Sequence, residues 1–350
     1  MLSPGNFFER QDVAKRWSLL FGIAFSLAMM VSMLSIYVIL SWLGWLFNFR
    51  NPGPFSLTVI HWLPAIITTV LTIIFLGASI RKMKEIMDGG STYAATALGG
   101  HPLGDELIMK GAARNREKQL KNIVAEMALA SGVTEPDIYI LPLEQGINAL
   151  ATGLSPDDAA IVVTWGALKY LSRDEMSGLI AHEFSHILNG DMRHNTIMAG
   201  WLYGLFFLNI LGRYFMSTHG LTLSRASVMA FAGAVLAMMV GSVSTILGRL
   251  LQSAFSRQRE YLADASAVQF TRNSEGLAGV LKKIGGLTIG SRIKSSQMPD
   301  YRHFFIAQPD KHSLFSTHPP LDERIHALDP RWDGTYYDFA AKPISMESNI

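Results

Sequence analysis

The sequence predicts a mainly α-helical membrane protein with two transmembrane helical hairpins and an α+β cytoplasmic domain that contains a small β-sheet. Hydrophobic residues make up 49% of the 350 residues and charged residues only 17%, whereas a typical soluble domain carries about 25% charge. The hydrophobic excess is concentrated in four long uncharged runs. The chain between these runs contains both helical and β-strand patterns, which indicates a folded domain outside the bilayer.

Charge and cysteine content exclude several classes of protein. The net charge of +2 is too small for a nucleic-acid-binding protein, so no nucleic-acid partner is expected. The chain contains no Cys, which excludes disulfides, thiolate metal sites and a Cys nucleophile. Any metal site must therefore be built from His and carboxylate side chains.

Residues 1–81 are predicted to form the first transmembrane hairpin, with spans at about 17–47 and 55–80. Both spans lack Asp, Glu, Lys and Arg, and both exceed the roughly 20 apolar residues that a helix needs to cross a bilayer. The sequence NPGP at residues 51–54 is a strong turn signal between them. Pro64 is expected to kink or restart the second helix, which membrane segments tolerate.

The distribution of basic residues predicts the orientation of this hairpin. Only Arg50 lies near the connecting turn, and the other flanking basic residues are at the two outer ends: Arg10, Lys15, Arg16, Arg81, Lys82 and Lys84. Because Lys and Arg accumulate on the cytoplasmic side, both ends are expected in the cytoplasm. The first span is too long for the apolar part of a signal peptide, so we interpret it as an uncleaved anchor.

A second hairpin is predicted within residues 195–251, where apolar runs cover 195–212 and 226–248. Their lengths lie near the limit for spanning a bilayer, so the alternative is a buried helical hairpin in a soluble core. Residues 82–104 are predicted to be a linker, which is flexible over its Gly-rich part, 88–104. Residues 331–350 are assigned to a C-terminal tail.

The remaining residues, 105–194 and 252–330, are predicted to form one α+β domain. A capping-box signal at Ser172 and Glu175 predicts the start of its central helix, and Asn189-Gly190 predicts its end. The β-like runs are 137–141, 148–152 and 160–164, and the other predicted helices are 105–131, 251–270, 275–284 and 321–328.

The helix that starts after Ser172 contains the sequence HEFSH at residues 182–186. Side chains four residues apart lie on one face of a helix, so His182 and His186 can bind one metal ion. Glu183 would then face a water molecule on that ion, where a general base is needed. The alternative is a solvated Glu between two surface histidines.

A catalytic zinc site normally has a third protein ligand. Between Glu183 and Glu260 the chain contains no Glu, so a downstream Glu ligand is Glu260 or a later one. The later ones are Glu275, Glu323 and Glu347. Glu260 is favoured because it lies four residues before Asp264 in a predicted helix, so that Asp264 can accept a hydrogen bond from a ligand His.

The alternative for Glu260 and Asp264 is an acidic stripe that pairs with Arg257 and Arg259 on a solvated helix. The predicted topology favours the metal site. The two histidines and Glu260 can share an ion only on the same side of the membrane, which requires an even number of crossings by the insert. The insert contains two apolar runs, as this requires.

Four motifs occur in order along the chain and together resemble the HtpX family of bacterial membrane zinc metallopeptidases. They are NALATG at 148–153, HEFSHILNGD at 182–191, SRQREYLADASA at 256–267 and STHPPLDERI at 316–325. The resemblance covers nearly the whole chain from about residue 70, and the related CAAX prenyl endopeptidases share the zinc ligands. The N-terminal part and the tail after Ala341 are longer than in compact members of the family.

The resemblance implies a zincin-like protease domain that binds one zinc ion per chain on His182, His186 and Glu260. It implies that Glu183 is the general base and that Asp264 supports a ligand. A strand beside the active site would bind an extended substrate through main-chain hydrogen bonds. This strand comprises Asn148, Ala149, Leu150, Ala151, Thr152 and Gly153.

Two further residues of the last motif are candidates for active-site support or transition-state stabilisation. His318 is the stronger candidate, and its alternative role is to cap or pack before the Pro-Pro turn. Arg324 is the second candidate, and its alternative role is an ion pair with its neighbours Asp322 or Glu323.

The resemblance implies zinc-dependent hydrolysis of peptide bonds in membrane or misfolded proteins, as quality control under stress. The implied location is the bacterial inner membrane, with the protease domain in the cytoplasm and with polypeptide substrates and the lipid bilayer as partners. One alternative is a dedicated processing peptidase for one membrane or lipid-anchored substrate. Another is an inactive scaffold with structural zinc, against which the presence of Glu183 argues.

Overall fold

The computed structural model describes residues 7–50, 62–104, 112–218, 225–292 and 316–339. The helices are α1 (Phe7–Arg50), α2 (Leu63–Ala97), α3 (Ala112–Ser131), α4 (Trp165–Tyr170), α5 (Arg173–Leu188), α6 (Asp191–Thr218), α7 (Arg225–Thr271), α8 (Ser274–Gly286) and α9 (Leu321–Leu328). The strands are β1 (His101–Pro102), β2 (Asp137–Leu141), β3 (Ala149–Ser155) and β4 (Asp158–Thr164). The predicted turn at 51–54, the start of the predicted helix at 105–111 and the end of the tail at 340–350 lie outside the described residues.

The chain divides into two compact units. One unit, here called the soluble unit, comprises Met1–Arg16, Ile86–Thr196 and Ser253–Ile350. The other, here called the apolar unit, comprises Trp17–Glu85 and Ile197–Gln252. The chain therefore leaves the soluble unit after α5 and returns to it along α7.

The apolar unit contains long helices with apolar surfaces. Among the described residues, three helical segments are long and apolar enough to cross a membrane: Gly22–Trp42, Leu63–Thr92 and Asp191–Tyr214. The fourth predicted run, 226–248, forms part of α7, which continues without a break into the helix predicted at 251–270. Pro64 lies in the first turn of α2, where a missing backbone N–H removes no helical hydrogen bond.

The structure differs from the sequence-based prediction of a flexible linker within residues 82–104. Helix α2 continues through most of this segment to Ala97, with one non-helical residue at Gly90, and β1 follows. Ala95 and Leu98 are buried in a cluster with Tyr139 and other sheet residues. The Gly-rich composition suggested flexibility, but burial of these small and apolar side chains against the sheet orders the segment.

The soluble unit contains a four-stranded sheet in the order β1-β2-β4-β3. The three predicted strands are confirmed, with β2 parallel to β4 and β3 antiparallel to β4. Within the described residues β3 pairs with β4 alone, so it forms one edge of the sheet. A register shift between Gly153 and Ser155 marks the end of the regular pairing.

Helix α5 is the central helix of the soluble unit. Its predicted capping box is confirmed, because the Ser172 side chain accepts from the Glu175 N–H and the Glu175 side chain accepts from the Ser172 N–H. The helix ends at the predicted position, with Asn189 as C-cap and Gly190 at φ 66°. Helices α3 and α8 and strand β3 pack around it, and this explains why α5 is buried along most of its length.

Replacing Gly153 with Ala is expected to destabilise the protein by about 1–3 kcal/mol or more. Gly153 has φ 129°, and an added Cβ would lie 1.8 Å from the Asp158 carbonyl oxygen. Thermal unfolding of the purified protein in detergent measures the effect. The matched control is Gly132→Ala, since Gly132 also has positive φ but no atom lies within 4 Å of its added Cβ. Equal effects of the two substitutions would contradict the steric explanation.

Candidate active site

Helix α5 carries the two histidines and the glutamate of the HEFSH motif. His182 is 0% exposed and Glu183 is 1% exposed, so the alternative of a solvated surface motif is wrong. The Nε2 atoms of His182 and His186 lie 3.2 Å apart, as expected for side chains four residues apart on one helical face. The two rings therefore point their Nε2 atoms toward the same point.

Helix α7 brings Glu260 to the same point. Its Oε2 lies 3.5 Å from His182 Nε2, and its Oε1 lies 3.6 Å from His186 Nε2. Donor atoms arranged tetrahedrally at about 2.1 Å from one centre are about 3.4 Å apart, so these separations suit a small metal ion. The three ligand atoms all lie within 4.8 Å of one another.

Each histidine has its own carboxylate partner. His182 Nδ1 lies 2.9 Å from Asp264 Oδ1, and His186 Nδ1 is hydrogen-bonded to Asp191 Oδ2 at 2.7 Å. A proton held on Nδ1 leaves the Nε2 lone pair available for a metal. This arrangement of donors is the structural observation that favours a metal ion over a simple polar cluster.

Each of these aspartates in turn contacts an arginine. Arg324 donates from Nε and Nη2 to Asp264 at 2.8 and 2.6 Å, and its Nη1 lies 3.2 Å from Glu260 Oε2. Arg324 is 0% exposed, and these contacts bring its guanidinium into the site. On the other side, Arg259 forms an ion pair with Asp191 and donates to the Asn189 carbonyl at 3.1 Å.

His318 also reaches this cluster. It is 4% exposed, and its Nδ1 lies 3.1 Å from Glu260 Oε2. The structure thus places both residues of the last motif, His318 and Arg324, against Glu260. Besides the two metal-site imidazoles, the Glu260 carboxylate therefore has His318 and Arg324 as neighbours. Glu183 borders the same cavity as Glu260.

Burial and charge shift the pKa values of these groups. Burial raises the pKa of Glu183 to about 7, although the nearby His186 acts in the opposite direction. Burial also favours a higher pKa for Glu260, but the charges of His318 and Arg324 outweigh it and hold that pKa well below its ordinary value. For His182, burial lowers the pKa and so favours the neutral imidazole that a metal requires.

A small cavity adjoins Glu183 and Glu260. It has a volume of about 20 Å³, which is room for about one water molecule. Ala151 of β3 lines it, together with Asp191, Met192, Asn195, Phe255, Ser256, Arg259 and His186. The edge strand and the HEFSH helix thus meet at a space of the size that a hydrolytic water needs.

The predicted strand 148–153 is only partly beside this cavity. Ala151 reaches it, whereas Asn148 lies before β3 and is 0% exposed. The Asn148 Nδ2 donates to the Ser291 carbonyl at 2.8 Å, and its Oδ1 accepts from the Ala149 N–H. These contacts give Asn148 a role in holding the start of the strand.

Sequence reasoning missed Asp191 and gave Arg259 only the role of a surface ion pair. Asp191 lies five residues after His186, beyond the Asn189–Gly190 turn, so no helical spacing connects it to the metal site. Beyond that turn, the Asp191 carboxylate is hydrogen-bonded to the His186 imidazole at 2.7 Å. The one available signal was its place at the end of the HEFSHILNGD motif.

Comparisons with known proteins identify relatives of the chain. The sequence model of Peptidase family M48 matches residues 114–331. A protein of Thermoanaerobacter pseudethanolicus described as a protease HtpX homologue is 40% identical over 217 residues, which cover 60% of this chain and 70% of that protein. A protein of Desulfatibacillum aliphaticivorans with the same description is 36% identical over 215 residues, covering 60% and 67%.

The structural comparison finds the crystal structure of S. mikatae Ste24p. The sequence identity is 17% and the TM-score is 0.46. The alignment covers 89% of this chain and 67% of that chain.

Proposed function

Because the chain belongs to peptidase family M48, we propose that it is a zinc-dependent endopeptidase that cleaves misfolded or damaged membrane proteins. It is a membrane-associated metalloprotease that hydrolyses peptide bonds, like its HtpX-type relatives. The convergence of two imidazoles and one carboxylate beside the buried Glu183 is the observation that supports the zinc mechanism.

His182, His186 and Glu260 would hold one zinc ion per chain. A bound zinc ion supplies Lewis-acid chemistry, which activates water and polarises the carbonyl of a peptide bond. Asp264 keeps the His182 imidazole oriented through Nδ1. Arg324 and His318 contact Glu260 and hold its carboxylate in place, which supports a positioning role for both.

Glu183 is proposed as the general base. With a pKa of about 7, its carboxylate can take a proton from the attacking water and then donate it to the leaving amine near neutral pH. The Ala151 backbone N–H interacts with this carboxylate, and among the described residues no side chain donates a hydrogen bond of ordinary geometry to either oxygen. No covalent intermediate is required, in agreement with the absence of Cys.

Strand β3 is the proposed binding site for the substrate backbone. It is an edge strand of the sheet within the described residues, and Ala151 borders the cavity that Glu183 also lines. An extended peptide can add to such an edge through main-chain hydrogen bonds, which recognise unfolded segments with little sequence preference. This mode of binding suits a quality-control enzyme.

The proposed location is the bacterial inner membrane, with the soluble unit in the cytoplasm. Three apolar helices support a multi-pass arrangement, and the excess of Lys and Arg outside the first hairpin supports the orientation. Membrane proteins and their exposed loops are then the nearest polypeptides. Polypeptide substrates and the lipid bilayer are the proposed partners.

A comparison of membrane proteomes tests the proposed substrate class. Cells that produce the native enzyme are compared with cells that produce the Glu183→Gln variant, with protein turnover measured by pulse labelling and mass spectrometry. We expect several unrelated membrane proteins to persist longer with the variant, especially under conditions that cause misfolding. Persistence of one protein alone would instead identify a dedicated processing peptidase, and identical turnover would contradict both roles.

A further inference from the structure

His186 is supported by a second aspartate–arginine pair. Asp191 is 5% exposed and binds His186 Nδ1 at 2.7 Å, and Arg259 is 6% exposed and forms an ion pair with Asp191. On the other side of the site, Asp264 contacts His182 Nδ1 in the same way, and Arg324 forms an ion pair with Asp264. Each imidazole of the site is thus followed by a carboxylate and then by a guanidinium.

We propose that Asp191 and Arg259 are positioning residues that hold His186 in the orientation needed to bind zinc. The inference rests on the proposed zinc-dependent function. It assigns a role to Arg259, the residue directly before the proposed ligand Glu260, that differs from a surface ion pair. Arg259 acts through Asp191, and Asp191 acts through His186.

The contacts of Arg259 connect the two helices that carry the ligands. Its Nη2 donates to the Asn189 carbonyl at 3.1 Å, and Asn189 is the C-cap of α5, the helix of His186. Its backbone belongs to α7, the helix of Glu260. The Arg259 side chain therefore links α7, the helix that supplies the third ligand, to the end of α5 and to Asp191 at the start of α6.

The burial of this pair favours a positioning role over simple stabilisation. A buried ion pair is a poor source of stability, because the cost of removing two charges from water offsets their attraction. Within the described part of the chain, the Arg259 Nε also has no protein acceptor, so the guanidinium is not fully satisfied. A precise orientation of the His186 ring is a benefit that an apolar pair could not provide.

Zinc affinity measured by chelator competition tests the inference on the full-length protein in detergent. We expect Asp191→Asn to weaken zinc binding by about 10–100-fold, since outer contacts to metal ligands have effects of this size. Arg259→Met is expected to weaken binding in the native background but to add little to Asp191→Asn, because it acts through that carboxylate. The absorption bands of the Co²⁺-loaded protein should shift in both variants.

Arg173→Met is the matched control, because Arg173 on α5 forms an exposed ion pair with Glu126 and does not contact the site. It should leave the zinc affinity and the Co²⁺ spectrum unchanged. The melting temperature of the metal-free protein monitors folding. If Arg259→Met does not fold, Arg259→Lys is used instead. Its zinc affinity is expected to lie between the affinities of the native protein and of Asp191→Asn.

Two outcomes would overturn the inference. One is a native affinity and spectrum in Asp191→Asn and in the Arg259 variant that folds. The other is full additivity of the two substitutions, which would show that Arg259 does not act through Asp191. If the native protein itself binds no zinc, the proposed function fails, and this result is distinguishable from native zinc binding that the variants leave unchanged.

Discussion

Glu183→Gln is expected to lower peptide hydrolysis by about 10²–10⁴-fold, the usual contribution of a general acid–base residue. The amide has nearly the same shape as the carboxylate but cannot accept the proton of an attacking water. Glu183 is buried and borders the cavity next to Glu260, and burial raises its pKa to about 7. Cleavage of an unfolded model protein in detergent measures the loss.

The metal content separates this mechanism from a ligand role. The variant should retain about one zinc ion per chain, because His182, His186 and Glu260 remain. Glu126→Gln removes the same charge from an exposed ion pair on α3 and should keep full activity. Full activity of Glu183→Gln would exclude it as the base, and loss of zinc would place it among the ligands.

Local patterns in the sequence predicted much of the soluble unit. The Ser172–Glu175 capping box, the end of α5 at Asn189 and all three predicted strands are confirmed, because caps, turns and alternating patterns act over a few residues. The resemblance to the HtpX family is confirmed by the relatives, and it depended on motifs short enough to read directly.

Contacts between distant segments were harder to predict. The 82–104 segment has a linker composition, yet Ala95 and Leu98 are buried against the sheet, and no local pattern indicates this burial. The partner of Arg324 lies 60 residues away at Asp264, whereas two nearer acidic residues suggested a local ion pair. Sequence separation does not predict such ion pairs, because the packing of helices brings distant segments of the chain into contact.

The continuity of helix α7 was also not predicted from the sequence. The sequence predicts a membrane run at 226–248 and a separate helix at 251–270, since the composition changes from apolar to charged between them. The structure has one helix of 47 residues. Neither the change of polarity nor Gly248 at the junction ends the helix, because an isolated Gly is tolerated inside a helix and polarity alters only the surroundings.

Glu260→Ala is expected to abolish stable zinc binding and, with it, peptide hydrolysis. It removes a carboxylate that lies 3.5 and 3.6 Å from the two Nε2 atoms, and two imidazoles alone do not make a zinc site of the usual kind. The fold should persist, because Arg324 keeps its two hydrogen bonds to Asp264. Zinc per chain is measured by mass spectrometry of the purified protein.

Glu323→Ala is the matched control, since Glu323 was an alternative ligand in the sequence. In the structure its side chain is exposed and accepts a hydrogen bond from the Tyr261 hydroxyl at 2.8 Å. This variant should keep its zinc, because its carboxylate belongs to a surface contact on α9. Zinc retained at native affinity by Glu260→Ala would require another third ligand. Asp264 and Asp191 both face Nδ1 atoms, so either of them could serve as that ligand only if a histidine ring turned over.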